Sequence, residues 1–478
     1  MNDTKLIKTI GHIFFLVLFI YAAYFYVERM LYSDVSFYIF KILSFEKFNI
    51  EAGRRMAFLT QIIPLIFLKF HASLKVIMLS YSISFVVIYY LIFLICLYGF
   101  SSVRAAIAST VMLFLGISDC SLYPVTELQL GIMFCILLYG YLEYFFLNEK
   151  LLATLGKFVF ILFGVIIILM CLFSHPSTLF PVLFIIIFQG IDKKLYNNKL
   201  IYALLLVTIV VYGFKFLSID KNSYEGQQMS PVRNLVAVLW NFSNQNSVHF
   251  FLKFVLKGIY ILPLLLFLVS GVYYLWKKSY LKLAFIIIAT IGFFVLLMVV
   301  FSPGDSDVGM EKNLLPLWIF IAIPFIHDVM FEKFRYAKLQ PLIYLLVIVA
   351  GLTGFHRATV IYGDRITYMK HVLESASKSL NSSKIIIEKK NLNQDKTGST
   401  WSYANETLLL SSINGPQNSK TIYIVNELNE IASFDLQKKD VYLCVPFWLE
   451  WNYSAINQRY FQLPPELYRI LENPIKEE

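Results

Sequence analysis

The stretch LKLAFIIIATIGFFVLLMVVF (281–301) contains a single charged residue, Lys282, and no proline. An apolar run of this length matches the ~20 residues that an α-helix needs to cross a bilayer. Comparable runs recur along the chain, although 102–118 and 176–190 are shorter than the others. They occupy 10–27, 75–97, 102–118, 126–147, 157–174, 176–190, 200–217, 252–276, 314–331 and 339–356. The sequence therefore predicts a mostly α-helical polytopic membrane protein with about 11 transmembrane helices.

The overall composition supports this fold class. Apolar residues make up 58% of the 478 positions and charged residues only 15%, against about 25% charged in ordinary soluble domains. This excludes disordered and collagen-like chains and ordinary soluble enzymes. The five cysteines form no CxxC pair, so neither a disulfide framework nor a zinc site is expected. Phosphate-binding, metalloprotease, nucleophile-elbow and dinucleotide motifs are also missing from the sequence.

Two segments near the N-terminus need separate interpretation. Lys5 and Lys8 precede the first apolar run as in a signal peptide, but the run ends in YFYVERM (24–30), which offers no small-residue cleavage site, so we expect a retained first span. The stretch MAFLTQIIPLIFLKF (56–70) is short and carries Gln61 and Pro64. Its length favours an interfacial or re-entrant helix over a span.

The distribution of charge orients the chain. With the N-terminus inside, the cytoplasmic segments hold 14 basic and 4 acidic residues, whereas residues 357–478 hold 14 of each. The whole net charge of +10 therefore lies on one face, as the positive-inside rule predicts. A basic face beside anionic headgroups explains this charge without nucleic acid. A twelve-span arrangement with residues 28–55 inside is the second choice, because it places Lys69 and Lys75 outside together with Lys5 and Lys8.

The chain divides into two compositional regions. Residues 1–356 are predicted to be membrane-embedded, with interfacial helices on the outer face in 28–74. Residues 357–478 are richer in Ser, Asn, Lys and Glu, with short β-rich runs at 384–390, 421–425 and 441–445. We predict a small α/β domain on the outer face, since a segment of this size can form its own core.

Two acidic residues of the outer face are candidates for catalysis. Asp34 follows the first span and precedes the apolar stretch VSFYIFKILSF (35–45), which predicts a helix lying in the membrane interface. A carboxylate partly desolvated at this edge suits a general base. Glu127 begins the fourth span. Both residues equally suit a helix start, either as a cap or through the helix dipole.

The outer face also carries cations that oppose the overall charge bias. A guanidinium group can donate two hydrogen bonds to the oxygens of one phosphate, so a phosphate-bearing ligand would explain some of these cations. Contacts with solvent or lipid headgroups would also explain them. The candidate substrate-binding residues are Arg54, Arg55 and Lys312, together with Glu51 and His175; Arg233, Lys253, Lys257 and Arg357 lie on the same face. Seven histidines show no ligand spacing, so no metal site or cofactor is predicted.

Several stretches resemble the GT-C superfamily of membrane glycosyltransferases, within it the branch of protein O-mannosyltransferases and lipid A aminoarabinose transferases. The first is GRRMAFLTQIIPLIFLKFHASLK (53–75). The second, SSVRAAIASTVMLFLGISDCSLYPVTELQLGIMFCILLYGYLEYF (101–145), resembles the third and fourth spans of those enzymes. The third is SPGDSDVGMEKNLLPLWIFIAIPF (302–325). The order and outer-face location of these stretches form the stronger part of the resemblance.

The resemblance implies a function and assigns residues to it. Asp34 occupies the place of the catalytic first-loop acid, Glu127 that of the second outer acid, and Lys312 that of an arginine that contacts the lipid phosphate. Val35 replaces the frequent second acid, and Asn313 precedes Leu314-Leu315-Pro316 where a tyrosine is common. The implied reaction is inverting sugar transfer from a polyprenyl-phosphate donor to a lipid, glycan or protein acceptor at the outer face of a bacterial inner membrane.

Other functions fit the same topology. A transporter or flippase of a lipid-linked glycan would need charged residues near mid-membrane and related halves. A glycan polymerase or ligase would need a long outer loop with several arginines, and 218–251 has only Arg233. A scaffold whose working part is residues 357–478 is the fourth alternative.

Overall fold

The computed structural model describes residues 3–118, 120, 127–147, 149–220, 226–227, 231–232, 235–304, 307–333, 339–433, 438–445 and 448–475 and is mostly helical (75%). The described α-helices begin with α1 (Asp3–Tyr24), α2 (Tyr26–Met30), α3 (Asp34–Phe45), α4 (Phe58–Lys69), α5 (Leu74–Leu94), α6 (Val103–Val111), α7 (Glu127–Leu147), α8 (Glu149–Leu172) and α9 (Leu179–Asp192). They continue with α10 (Lys199–Leu217), α11 (Leu235–Trp240), α12 (Asn246–Leu256), α13 (Ile261–Trp276), α14 (Tyr280–Val300), α15 (Asp307–Pro324), α16 (Leu339–Leu380), α17 (Gln394–Thr397) and α18 (Tyr403–Ser412).

The long apolar helices mark the chain as a membrane protein. Within the described residues, seven are long and apolar enough to cross a bilayer: α1, α5, α7, α10, α14, α15 and α16. The pair α12 and α13 is bent by 89° and becomes an eighth candidate if it is counted as one span. The predicted count of about 11 is not confirmed, because some apolar runs form shorter helices. Examples are α6 with 9 residues and α9 with 14.

Helix α4 corresponds to the ambiguous stretch 56–70. It has 12 residues with Pro64 inside, which gives a length of about 18 Å, well below the ~30 Å hydrocarbon thickness. It packs against α5 after a tight turn at His71, where φ is +57°. This helix is not among the candidate spans.

Helix α3, which follows the first span and begins at Asp34, is enclosed by protein. The sequence predicts a helix here that lies in the membrane interface, and the structure places it instead beneath the C-terminal domain. Nine of its twelve residues are buried, and the Phe40 ring lies 5.3 Å from Tyr442 and 5.9 Å from Phe461. This cover removes its apolar residues, among them Phe37, Ile39 and Phe40, from solvent.

Helix α16 connects the membrane region with the C-terminal domain without a break. Its 42 residues extend about 63 Å at 1.5 Å per residue, roughly twice the hydrocarbon thickness. It is therefore continuous across the predicted boundary at 356–357. Its second half carries Arg365, which donates to the Leu31 carbonyl oxygen of the first loop (residues 28–74) at 2.8 Å.

The C-terminal domain contains a small parallel sheet, and each of the three β-rich runs forms a strand. Its strands are β1 (Lys384–Glu388), β2 (Thr421–Val425), β3 (Val441–Val445), β4 (Trp448–Asn452) and β5 (Arg469–Leu471). β1 lies between β2 and β5 and pairs parallel with both, while β3 and β4 form an antiparallel pair. Parallel neighbours require a crossover, and α18 supplies it, packing on β2 and touching α3. The sheet thereby holds α18 against the first loop.

Candidate active site

A polar cavity of about 710 Å³ lies where the first loop, α15, α16 and the C-terminal domain meet. Asp34, the first residue of α3, and Lys312, in the second turn of α15, face each other across it. The Lys312 Nζ and the Asp34 Oδ2 are 3.8 Å apart. The exposed fraction of the Asp34 side chain is 34% and that of Lys312 is 14%, so both atoms are accessible from the cavity. The structure thus brings together two of the predicted site residues.

The residue before Asp34 has an unusual backbone conformation. Ser33 has φ +46° and ψ −123°, and its side chain makes no cap hydrogen bond to α3. Its N–H donates to Glu406 Oε1 at 2.7 Å, and its Oγ accepts from Trp401 Nε1 at 2.8 Å. Strained residues persist only where their surroundings hold them. The C-terminal domain therefore fixes the backbone that presents Asp34.

A buried ion pair stabilises the backbone around Ser33. Arg365 of α16 pairs with the buried Glu406. The guanidinium also donates to the Leu31 and Thr397 carbonyl oxygens at 2.8 and 2.9 Å and lies 4.8 Å from the centre of the Tyr32 ring. Burial, opposed in part by Arg365, raises the pKa of Tyr32 to about 12. This network ties the first loop, α16 and the C-terminal domain together.

Glu127 is buried in a second polar cluster. Tyr38 donates its hydroxyl hydrogen to Glu127 Oε1 at 2.5 Å, and Arg54 Nη1 donates to Oε2 at 3.1 Å. Burial and the neighbouring carboxylate raise the pKa of Tyr38 well above its usual range, so the phenol remains a donor. Glu127 lines neither the polar cavity nor its neighbour. Its position suits holding Arg54 rather than touching a ligand.

A second, mostly apolar cavity of about 170 Å³ adjoins the polar one. Gly309 and Lys312 line both cavities. The apolar walls come from α9, α10, α14 and the turns beside them, and the polar end holds Arg54, His175 and Asn313. The Lys312 ammonium thus belongs to the junction between a polar and an apolar space.

His175 is a neutral member of the second cavity. Burial and the positive charges of Arg54 and Lys312 lower the pKa of its imidazole well below its usual value. Its Nδ1 accepts from the Ser177 N–H at 3.2 Å, which leaves Nε2 as the protonated, donating nitrogen. His175 can therefore donate a hydrogen bond, but it adds no positive charge.

Other predicted cations and acids of the outer face line neither of these two cavities. Arg55 is exposed and lies 5.2 Å from the centre of the Phe173 ring, and Glu51 pairs with Lys41. Lys257 and Arg357 line a separate cavity of about 410 Å³. Lys253 pairs with Asp307 at 2.8 Å, and Arg233 lies outside the described residues.

One group of side chains has metal-ligand geometry among the described residues. The ligand atoms of Asp192, His327 and Asp328 lie within 4.8 Å of one another. Lys282 Nζ already donates to both carboxylates, at 2.6 Å to Asp192 and 2.9 Å to Asp328. The group lies on segments predicted to face the cytoplasm, far in sequence from the outer loops, and Tyr274 donates to Asp328 at 2.6 Å. The contacts describe a charge-paired cluster that links neighbouring helices.

Sequence reasoning identified Asp34 and Lys312 but missed Glu406, Arg365 and Trp401. The three lie in the region 357–478, where balanced charge resembles that of any soluble domain. Their partners in the first loop are more than 300 residues away in the sequence, so no local spacing signals the contact. The resemblance also offered no residue there.

Comparison with known proteins gives no assignment: no family model, no curated protein and no solved structure matches the chain. The geometry of the two cavities therefore carries the functional argument.

Proposed function

We propose that this protein is a membrane glycosyltransferase of the GT-C type, which moves a sugar from a polyprenyl-phosphate donor to an acceptor at the outer face of a bacterial inner membrane. One observation carries the proposal. Asp34 and Lys312 lie 3.8 Å apart where a polar cavity joins an apolar one. Such a junction suits a donor whose polyprenyl chain is apolar and whose phosphate and sugar are polar.

Asp34 is the proposed general base. Its carboxylate accepts the proton of the acceptor hydroxyl as that oxygen attacks the anomeric carbon of the donor sugar. The bond between the anomeric carbon and the phosphate oxygen breaks at the same time, with inversion, and the polyprenyl phosphate leaves with the electron pair. Base catalysis of this kind contributes about 10²- to 10⁴-fold.

Lys312 is the proposed partner of the leaving phosphate. Charge grows on the phosphate oxygen as the bond breaks, and a fixed cation in a poorly solvated site stabilises it. Arg54 and His175 at the polar end of the apolar cavity are placed to contact the remaining phosphate oxygens. Arg54 supplies charge, whereas neutral His175 supplies a hydrogen bond from Nε2.

Replacement of Lys312 tests this assignment. Lys312→Met retains the length of the stem but removes the charge, and we expect kcat to fall about 10²- to 10³-fold, as when one donor to a developing oxyanion is removed. Lys312→Arg should retain activity within about tenfold. Rates are measured with a radiolabelled polyprenyl-phosphate sugar in nanodiscs. Lys257→Met, which removes a cation of a separate cavity, is the matched control, and equal losses in both Met variants would contradict the assignment.

The outer location of the site is a further expectation, and thiol labelling tests it. All five native cysteines are buried, so an engineered thiol reports alone. Lys396→Cys, at an exposed position of the polar cavity, should react with a membrane-impermeant maleimide in intact spheroplasts. Lys277→Cys, also exposed, should react only after permeabilisation. The reverse labelling pattern would contradict the proposed outer-face enzyme.

A transporter of a lipid-linked glycan is the second candidate, and one observation favours it. The Asp192–Lys282–Asp328 cluster is made of charged residues on apolar helices, which often mark transport pathways. Proteoliposomes loaded with acceptor separate the two functions. Sugar transfer identifies the enzyme, and translocation of the intact lipid-linked sugar without transfer identifies the transporter.

A further inference from the structure

We infer that the polar cavity binds a carbohydrate acceptor and that the C-terminal domain supplies its recognition wall through residues 394–401. The inference rests on the proposed function and names the acceptor class, which the sequence leaves open among lipid, glycan and protein. The cavity volume of about 710 Å³ lies within the range of small-ligand sites, about 300–1,000 Å³.

The cavity wall combines both regions of the chain. One side is Asp34, Lys312 and the start of α15, and the opposite side is segment 394–401 together with Asp364 of α16. Segment 394–401 is held in place from within its own domain: the Asn393 side chain accepts from the N–H groups of Asp395 and Lys396 at 3.1 and 3.3 Å.

Hydrogen-bond acceptors predominate in the lining. Four carboxylates and three cations line the cavity. Asp307 is paired with Lys253, and Arg365 is already bound to Glu406 and to two backbone carbonyls. A second cation, Lys312, is committed to the donor phosphate in the proposed reaction. A ligand with many hydroxyl groups and little negative charge fits this lining best, because its hydroxyls donate hydrogen bonds to the carboxylates. An acidic peptide or a phosphorylated headgroup would meet repulsion from Asp364 and Asp395.

Trp401 provides an aromatic surface with fixed orientation. Its Nε1 donates to Ser33 Oγ at 2.8 Å, and its ring packs edge-on against Phe37 with centroids 5.7 Å apart and an interplanar angle of 68°. Trp401 lines the cavity and is only partly buried. A ring held by this hydrogen bond and by the contact with Phe37 loses little entropy on binding, and an aromatic ring suits the C–H surface of a sugar.

The apolar cavity argues against a lipid acceptor. Its lining is dominated by Phe, Leu and Val side chains together with Tyr212, and it joins the polar cavity only at Gly309 and Lys312. One such space accommodates the donor chain. In the polar cavity the apolar surface comes from Val308, Ile361 and the rings of Tyr32, Tyr362 and Trp401, which share the lining with charged side chains. Among the described residues it therefore offers no wholly apolar channel for an acceptor tail.

The test is binding of the purified full-length protein, in phosphatidylcholine nanodiscs, to an array of defined oligosaccharides and, in parallel, to a peptide array. The variant Gln394→Ala/Asp395→Ala removes two exposed side chains of the wall. Gln417→Ala/Asn418→Ala removes two exposed neighbours elsewhere in the same domain and is the matched control. We expect the wild type and the control to bind one set of glycans and the wall variant to bind them at least tenfold more weakly.

Three results would overturn the inference: no glycan bound by the wild type, equal binding by the wall variant and the control, or wall-dependent binding of peptides instead. The assay uses no donor and no turnover, so loss of the proposed transferase activity does not affect it. An active transferase that binds no glycan would overturn only the acceptor class.

Discussion

Asp34→Asn is expected to lower sugar transfer by about 10²- to 10⁴-fold while the protein folds as the wild type does. The amide has nearly the same shape as the carboxylate but cannot take up a proton, so the contribution of the general base is lost. The side chain is about one-third exposed, and its contact with Lys312 is 3.8 Å, a pair whose loss costs little stability. Single-turnover transfer measures the loss of activity. The size-exclusion profile and thermal unfolding test whether the variant is folded.

The control for Asp34→Asn is Asp440→Asn, an exposed aspartate of the C-terminal domain that does not line the polar cavity. It should transfer sugar at the wild-type rate. Donor binding distinguishes a loss of the catalytic step from a loss of donor affinity, because Asp34→Asn should still bind the radiolabelled donor. Transfer by Asp34→Asn within tenfold of the wild-type rate would remove Asp34 from the mechanism.

The candidate site was only partly predictable from the sequence. Asp34 and Lys312 are separated by 278 positions. Their proximity was predictable because the charge distribution and the resemblance both place them at the outer edge of the membrane. Glu406 and Trp401 carry no comparable signal. Their role depends on how the sheet holds α18 against the first loop, and long-range packing of this kind leaves no periodicity in the sequence.

The fold, like the site, was only partly predictable from the sequence. Hydropathy identifies apolar segments, and the three β-rich runs identify the strands β1, β2 and β3, but not which strands pair. Hydropathy does not identify how an apolar run is used: α3 is covered by the C-terminal domain, and α9 is only about 21 Å long. Nine of the twelve residues of α3 and eight of the fourteen residues of α9 are buried in protein, and composition alone does not distinguish such burial from contact with lipid.

The pair Arg54–Glu127 yields the last prediction, a double-substitution cycle. Both side chains are buried and lie 3.1 Å apart. Arg54→Gln leaves the Glu127 carboxylate with only Tyr38 as a side-chain donor among the contacts described above, and Glu127→Gln leaves a buried guanidinium without its carboxylate. Removing one partner of a buried pair costs about 3–5 kcal/mol. We therefore expect each single variant to unfold at a clearly lower temperature than the wild type.

The double variant Arg54→Gln/Glu127→Gln should regain much of that stability, because two neutral amides can hydrogen-bond to each other and neither charge remains buried. Its activity distinguishes positioning from catalysis. If Glu127 acts by holding Arg54 beside the donor phosphate, its loss adds nothing once Arg54 is gone, and the double variant transfers sugar at the rate of Arg54→Gln. A double variant slower by the product of the two single losses would instead assign Glu127 an independent part in the reaction, despite its absence from both cavity linings.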